Sequence, residues 1–202
     1  MRSRSITIAG IDAIAIRVSF TGDLGWEVYV KTENQLKLYE ALLETGADLG
    51  VKPVGGRSLL SLRVEKGYGS WGREYSPEYW PQEVGLDRLI KLDKPSFLGK
   101  EAYLKIKDQK PREKLVVLEV TADRNADPAG GEPVFLRDGT PVGRVTSGAY
   151  GYTCDKSLAI CMIKTDHAID GNEFHVAVIG QNHDAVMLKE APFDPLGSKL
   201  RG

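Results

Sequence analysis

Ala13-Ile14-Ala15-Ile16-Arg17-Val18 is a short run rich in β-branched residues and bounded by the Ile11-Asp12 turn, a pattern that predicts a strand. Trp26-Glu27-Val28-Tyr29-Val30 predicts another, and Gly22 and Gly25 between the two suit a tight turn with unusual backbone angles. Together Ser5 to Phe20 and Trp26 to Val30 account for two or three strands. Helical spacing then takes over. Thr32 with Gln35 three residues later has the form of a capping box, and Leu36, Tyr39, Leu43 and Ala47 follow as one stripe, widened by Leu42. Gly46 or Gly50 can end that helix. Val51 to Val54, holding Pro53, reads as a short extended link. Gly55-Gly56 then leads into a second helix from about Arg57 to Lys66, with Leu60 and Val64 on one face.

From Gly67 to Pro81 periodicity is lost and aromatic residues gather: Tyr68, Trp71, Tyr75, Tyr79 and Trp80. Such segments pack as loops over a core or line a cleft. Leu89 to Leu92 is expected as a strand and Gly99 to Lys107 as a short helix. The polar break Asp108-Gln109-Lys110-Pro111-Arg112 suggests a domain boundary near residue 110. Beyond it the pattern is all-β. Leu115–Val120, Pro133–Leu136, Val142–Tyr150, Leu158–Ile163, Glu173–Ile179 and Asp184–Lys189 give about six short strands, with a hairpin signal at Asp138-Gly139. Six short strands with frequent turns indicate a small barrel or jelly roll. The expected fold class is therefore α+β, with an α/β layer over residues 1–110 and an antiparallel β-barrel over residues 111–202. It lacks the alternation of a doubly wound sheet.

Composition narrows the functions. A chain of 202 residues can bury a proper core, and a formal net charge of -1 points to no nucleic-acid partner. The longest apolar runs fall far short of a membrane span. Cys154 and Cys161 form no C-x-x-C motif and read as two reduced thiols of a cytoplasmic-type protein. His167, His175 and His183 are too scattered to ligate a metal by spacing. Gly67-Tyr68-Gly69-Ser70-Trp71-Gly72 spells G-x-G-x-x-G, yet it follows a helix and opens a loop, the reverse of a dinucleotide site. No FAD or NAD site is expected.

The chemically informative residue is Glu27. A carboxylate on a strand between Trp26 and Val28, with Tyr29 next on its own face, is expected to see little water and so to be paired or hydrogen-bonded. Arg17 and Arg57 are the available structural partners. Arg57 shares the spacing of Leu60 and Val64, and an arginine on an inward face needs an anion or acceptor. Arg63, in the middle of the helix, is expected to be structural.

These residues also carry a resemblance. Phe20-Thr21-Gly22-Asp23-Leu24-Gly25-Trp26-Glu27 is similar to the Y-T-G-E-x-G-[FW]-E signature of the glycine-cleavage T-protein superfamily. These are folate-dependent aminomethyltransferases, and the superfamily includes the C-terminal halves of dimethylglycine and sarcosine dehydrogenases. Gly55-Gly56-Arg57-Ser58-Leu59 resembles A-R-D-x-L, and Phe97-Leu98-Gly99-Lys100-Glu101-Ala102 matches F-[IV]-G-[KR]-E-A. Leu62 to Tyr68, Trp71-Gly72, Val145 to Tyr152 and Lys156 to Ala159 continue the likeness towards the dehydrogenase branch. A related folate protein of iron–sulphur cluster maintenance carries K-G-C-Y-x-G-Q-E, and Lys66 to Glu74 lacks that cysteine.

The resemblance implies the second half of a folate-binding domain followed by a β-barrel. It implies tetrahydrofolate as cofactor, with Glu27 accepting two pterin donors and Arg57 forming a polar wall. Phe20 stands where the family has tyrosine, keeping the ring and losing a hydroxyl. Tyr68 and Trp71 suit a cleft wall or core packing, and Trp71 joins the folate set. The family's catalytic aspartate belongs to a preceding half that nothing in residues 1–19 resembles, so no catalytic residue is assigned. The implied role is the tetrahydrofolate-binding C-terminal portion of an aminomethyltransferase or dimethylglycine/sarcosine dehydrogenase, capturing a one-carbon unit. Its partner would be the missing half, a separate chain or a second copy, in the cytoplasm or a mitochondrial matrix. The alternative is a non-catalytic interaction module that keeps the fold.

Overall fold

The computed structural model describes residues 2–122 and 127–202. Two compact units divide the chain, one of Met1–Leu60 with Leu196–Gly202 and one of Ser61–Pro195. That division falls at residue 60, whereas the polar break near residue 110 immediately precedes the first barrel strand at Glu113.

The first unit holds a three-stranded antiparallel sheet in the order β1 (Ser3–Ile8), β2 (Ile11–Arg17), β3 (Trp26–Tyr29). Ala9 and Gly10, both at positive φ, turn β1 into β2. In the β2–β3 turn the Gly22 N–H donates to Ser19 Oγ at 2.9 Å with φ at 89°. A side chain at Gly25 would sit 3.1 Å from the Val18 carbonyl oxygen. Pairing of Ile16 with Glu27 and Ile14 with Tyr29 puts those four on one face. Ile6, Ala13, Ala15 and Val28 share the other.

A short 3-10 turn over Thr32–Asn34 precedes α1 (Gln35–Gly46), and no side chain caps either start. The expected capping box is absent because the 3-10 turn shifts the first α-helical position to Gln35 itself. The stripe at helical spacing lies mostly in water, with Leu43 half-buried. Leu36, Tyr39, Leu42 and Ala47 are exposed, and Leu38 is the buried side chain of the helix. Apolar residues cover so wide an arc of α1 that periodicity alone does not select the buried line. Helix α2 (Gly56–Glu65) straddles the division between units, and its burial begins only at Arg63.

In the second unit Leu89–Leu92 is not a strand. A 3-10 turn over Asp87–Leu89 and irregular chain replace it, ahead of α3 (Lys100–Ile106). The barrel follows: β4 (Glu113–Val120), β5 (Pro133–Phe135), β6 (Pro141–Gly151), β7 (Lys156–Lys164), β8 (Glu173–Val178) and β9 (Gln181–Met187). It closes in the order β4-β7-β6-β5-β8-β9, every pairing antiparallel. Alternating residues of these strands, among them Val116, Leu118, Val134, Val145, Cys161, Phe174 and Val176, fill the interior. A second cluster of Val64, Leu158 and Ile160 ties the end of α2 to the outside of β7. The short helix α4 (Ser198–Arg201) belongs to the first unit, where Arg17 donates to the Leu200 and Arg201 carbonyls.

Candidate functional site

Glu27 lies on β3, a four-residue edge strand paired only with β2. Its side chain is exposed, correcting the expectation of a dry carboxylate. Ile14 and Tyr29, on the same face, are also open to solvent. Among the described residues no ion pair joins Glu27 to Arg17 or Arg57. Instead the Tyr29 hydroxyl donates to Glu27 Oε2, and this bond raises the tyrosine above its ordinary value. No described residue donates a hydrogen bond to Oε1. Tyr29 and Ile14 also line an open hollow of about 670 Å³ on the first unit. The local arrangement is thus an exposed carboxylate, braced by a phenol, beside a hollow with an apolar wall. It can accept two parallel donors from a planar ligand edge.

Phe20, in the β2–β3 turn, is partly exposed on the same unit. Arg57 is the second residue of α2 and is exposed, as is Leu60, so the inward face expected for them is not formed. Only Val64 of that trio is buried, because the helix meets a core only in its last turn. Trp71, on the second unit, is 89% exposed, which excludes the core-packing role. No described hydrogen bond or ion pair joins any two of Phe20, Glu27, Arg57 and Trp71.

The irregular loop around Trp71 has a buried polar base. Arg63 and Glu74 are 1% and 0% exposed and form an ion pair at 3.2 Å. Ser147 on β6 links them, accepting from Arg63 Nη2 and donating to Glu74 Oε1, each at 2.6 Å. Arg63 Nη1 also donates to the Tyr68 carbonyl at 2.9 Å, and the Ser70 N–H donates to Glu74 Oε2 at 2.8 Å. Burial works against the charge on Glu74. Hydrogen bonds from Ser147, the Ser70 N–H and Thr146, with the Arg63 charge, outweigh it and hold the carboxyl below its ordinary range. Burial draws Arg63 down, although it stays a cation.

Sequence reasoning assigned Arg63 a structural role and missed its partners. It also missed Glu65, whose Oε1 accepts the Thr153 N–H at 2.7 Å, and Lys66, which pairs with Asp194 at 3.2 Å. A fourth omission is Glu83, fully buried and held by Arg112 at 2.8 Å. Charged residues in succession read as a solvated surface, so no local signal marked them. Among the described residues no cluster of His, Cys, Asp and Glu could hold a metal ion. No described helix is long and apolar enough to cross a membrane.

Two family models match the chain in tandem. Residues 1–94 match the GCVT N-terminal domain, and residues 113–194 match the glycine cleavage T-protein C-terminal barrel domain. Mitochondrial dimethylglycine dehydrogenase of Rattus norvegicus is 37% identical over 191 residues, covering 94% of this chain and 22% of that protein. A formaldehyde-forming 4-methylaminobutanoate oxidase of Paenarthrobacter nicotinovorans is 37% identical over 98% of this chain and 24% of its own length. An aminomethyltransferase of Symbiobacterium thermophilum is 36% identical, over 95% of this chain and 50% of its own. The chain therefore spans half or less of the length of these curated relatives. The glycine cleavage aminomethyltransferase T of Bartonella henselae shares the fold with a TM-score of 0.81 at 24% identity, over 91% of this chain and 50% of that one. Motif order, barrel topology and both domain models agree, and the chain belongs to the glycine-cleavage T-protein family.

Proposed function

We propose that this chain is the folate-holding portion of an aminomethyltransferase or a dimethylglycine dehydrogenase-like enzyme, with Glu27 as the acceptor for the pterin edge. The observation that carries the reading is the exposed Glu27 carboxylate, braced by Tyr29 on an edge strand beside a hollow. A pterin presents two adjacent donors, its ring N–H and its amino group, and a carboxylate with Oε1 free accepts both. Phe20 would give a ring surface and Arg57 an anion or acceptor partner on the same unit. Tetrahydrofolate, when bound, would supply the amine that takes up a one-carbon unit. The protein's part is to orient it and hold its polar edge.

The first unit leaves many apolar side chains in water, Trp26, Leu36, Tyr39, Leu42, Leu59 and Leu60 among them. We assign the remaining half of the relatives' length, as further chain or a partner subunit, to cover part of this surface. Titration of folinate by calorimetry tests the site. Glu27→Gln turns one acceptor into a donor facing a donor, and the loss should be about 30- to 1000-fold, or roughly 2–4 kcal/mol. The surface variant Glu40→Gln should bind as the wild type does. Equal affinity of wild type and Glu27→Gln, or no binding by either, would overturn the assignment.

A further inference from the structure

The solvent-facing side of the first unit's sheet carries its side chains in rungs, because residues paired across antiparallel strands point the same way. Ile16 and Glu27 belong to one rung, and Ser5, Ile14 and Tyr29 form the next. Thr7 and Asp12 begin a third, two positions further along β1 and β2. On the third strand the corresponding place belongs to Lys31, two positions beyond Tyr29. Lys31 lies past the end of β3, yet its φ of -62° and ψ of 146° keep the chain extended, so it stays on the face of Glu27 and Tyr29. Asp12 and Lys31 line the same hollow as Ile14 and Tyr29. All of these residues belong to the first unit.

A lone exposed charge needs no explanation. Asp12 and Lys31 differ in being opposite in sign and lining one hollow while no described ion pair joins them. Among the described residues nothing hydrogen-bonds to the Asp12 carboxylate or accepts from the Lys31 ammonium. They also share their face with Glu27, which lies four residues, or about 13 Å at the usual strand rise, before Lys31. Between the two ends stand Ile14 and Tyr29, 49% and 53% exposed, a bed for a flat apolar ring. Along this face the chain thus offers a carboxylate, then an apolar bed, then an acceptor beside a cation.

We propose that Asp12 and Lys31 seat the amino-acid end of the ligand whose planar edge Glu27 holds, Asp12 accepting its amide N–H and Lys31 donating to the carboxylate beside it. With tetrahydrofolate as that ligand, the proposal rests on the folate reading above. Folate carries a pterin donor edge at one end, a benzoyl ring in the middle and an amide-linked amino acid at the other. Those parts come in the order in which the face presents Glu27, the Ile14–Tyr29 bed and the Asp12–Lys31 pair. In an N-acylated amino acid the amide N–H and the α-carboxylate are attached to one carbon. A donor and an anion therefore arrive side by side, and they need an acceptor and a cation side by side. A lone carboxylate would be held by Lys31 and repelled by Asp12. The class of ligand is accordingly an amino acid with an aromatic acyl group, and a bare pterin would leave this end of the face unused.

Calorimetric titration of three probes separates the parts: folinate, a methyltetrahydropterin that lacks the tail, and p-aminobenzoylglutamate, which is the tail alone. Lys31→Met should weaken folinate about fivefold, the modest size of a charge pair open to water, and the difference should shrink at high salt. Asp12→Ala should weaken folinate about threefold, through one hydrogen bond at an exposed site. Neither change should alter the affinity for methyltetrahydropterin, which Glu27→Gln should weaken. With p-aminobenzoylglutamate the pattern should reverse: Lys31→Met weakens it and Glu27→Gln leaves it unchanged. Equal folinate affinity of wild type and Lys31→Met overturns the seat and leaves the Glu27 assignment to its own titration. A loss for methyltetrahydropterin as large as that for folinate overturns it too, because Lys31 would then act on the pterin end. Tighter folinate binding by Asp12→Ala removes Asp12 from the seat and with it the N-acyl assignment. If Glu27→Gln binds folinate as wild type does while Lys31→Met weakens both folinate and p-aminobenzoylglutamate, the Glu27 reading falls and the seat stands. Wild type that binds neither folinate nor p-aminobenzoylglutamate overturns both.

Discussion

Removing either partner of the Glu83–Arg112 pair breaks the same interaction, yet the two removals should differ in cost. Glu83 is wholly buried, whereas the Arg112 side chain is 56% exposed and lies over the Trp80 ring. The carboxylate accepts the Arg112 N–H at 3.1 Å, Arg112 Nε and Nη2 at 2.8 Å each, and the Trp80 N–H at 2.8 Å. Glu83→Gln keeps one acceptor oxygen, and the stranded guanidinium regains water. The loss should be about 2 kcal/mol, that of a charge-assisted bond. Arg112→Met leaves a buried anion with only two backbone donors. That case lies in the range of about 3–5 kcal/mol for a buried pair with one member gone. Although burial works against the charge, the bonds from Arg112 and Trp80 hold Glu83 below its ordinary range. Its stabilisation is therefore full above the usual carboxylate value, about 4.3, and fades as pH falls through the depressed one. In Arg112→Met the buried carboxyl has lost its cation and moves upward, so acidification relieves the variant. Urea unfolding followed by circular dichroism at pH 7 and pH 4.5 reads both effects. If Arg112→Met costs no more than Glu83→Gln at pH 7, or if its deficit does not shrink at pH 4.5, the asymmetry argument is wrong.

Gly69→Ala should destabilise the second unit by about 1–3 kcal/mol, because the added carbon would meet the Tyr75 ring at 2.7 Å and the Glu74 Cβ at 2.9 Å. A melting curve no lower than that of wild type would show that the loop yields at little cost. Burial pushes the Cys161 thiol far up, and burial with the Glu65 charge nearby pushes Cys154 up to a lesser degree. Iodoacetamide at pH 8 should therefore label Cys154 more slowly than a free thiol, and Cys161 only after unfolding. Mass spectrometry finding Cys161 modified in folded protein would contradict the closed barrel interior.

The barrel was legible because each strand carries its own signal. Alternation in Leu115–Val120 and Glu173–Ile179, and the Asp138-Gly139 turn, are local facts that closure merely assembles. At the turn the Thr140 N–H donates to Asp138 Oδ1 at 2.9 Å, the side-chain turn bond that aspartate favours. The candidate site was legible as letters and not as environments. Glu27 was expected in a dry pocket because apolar neighbours surround it in sequence. On an edge strand those neighbours, Trp26 above all, point into water as well. Arg57 failed in the same way, since helical spacing says which residues share a face and nothing of whether the face is covered. The buried charges were illegible for the opposite reason. Arg63 and Glu74 lie eleven positions apart and meet at Ser147, seventy-three further on, a contact that no local pattern encodes.

Burial, more than motif membership, sorts the family-like residues into two kinds. Leu62-Arg63-Val64-Glu65-Lys66 stands as one stretch of the resemblance, and its three charges are all buried. Each grips a different distant segment of the second unit: Arg63 the Trp71 loop and β6, Glu65 the backbone of Thr153 in the β6–β7 hairpin, and Lys66 the chain at Asp194. Three charges at the end of α2 and on the residue just after it thus splay outward to three separate elements, a scaffold that apolar side chains could not aim as specifically. Glu27, Arg57 and Trp71 stand within the same set of motifs and are exposed. A charge or an indole held in water on a defined backbone retains capacity for a ligand: Glu27 gives one oxygen to Tyr29, and no described hydrogen bond or ion pair engages the side chain of Arg57 or Trp71. The stretch that reads as most charged therefore builds the protein. The few residues it leaves unspent are where recognition is to be sought.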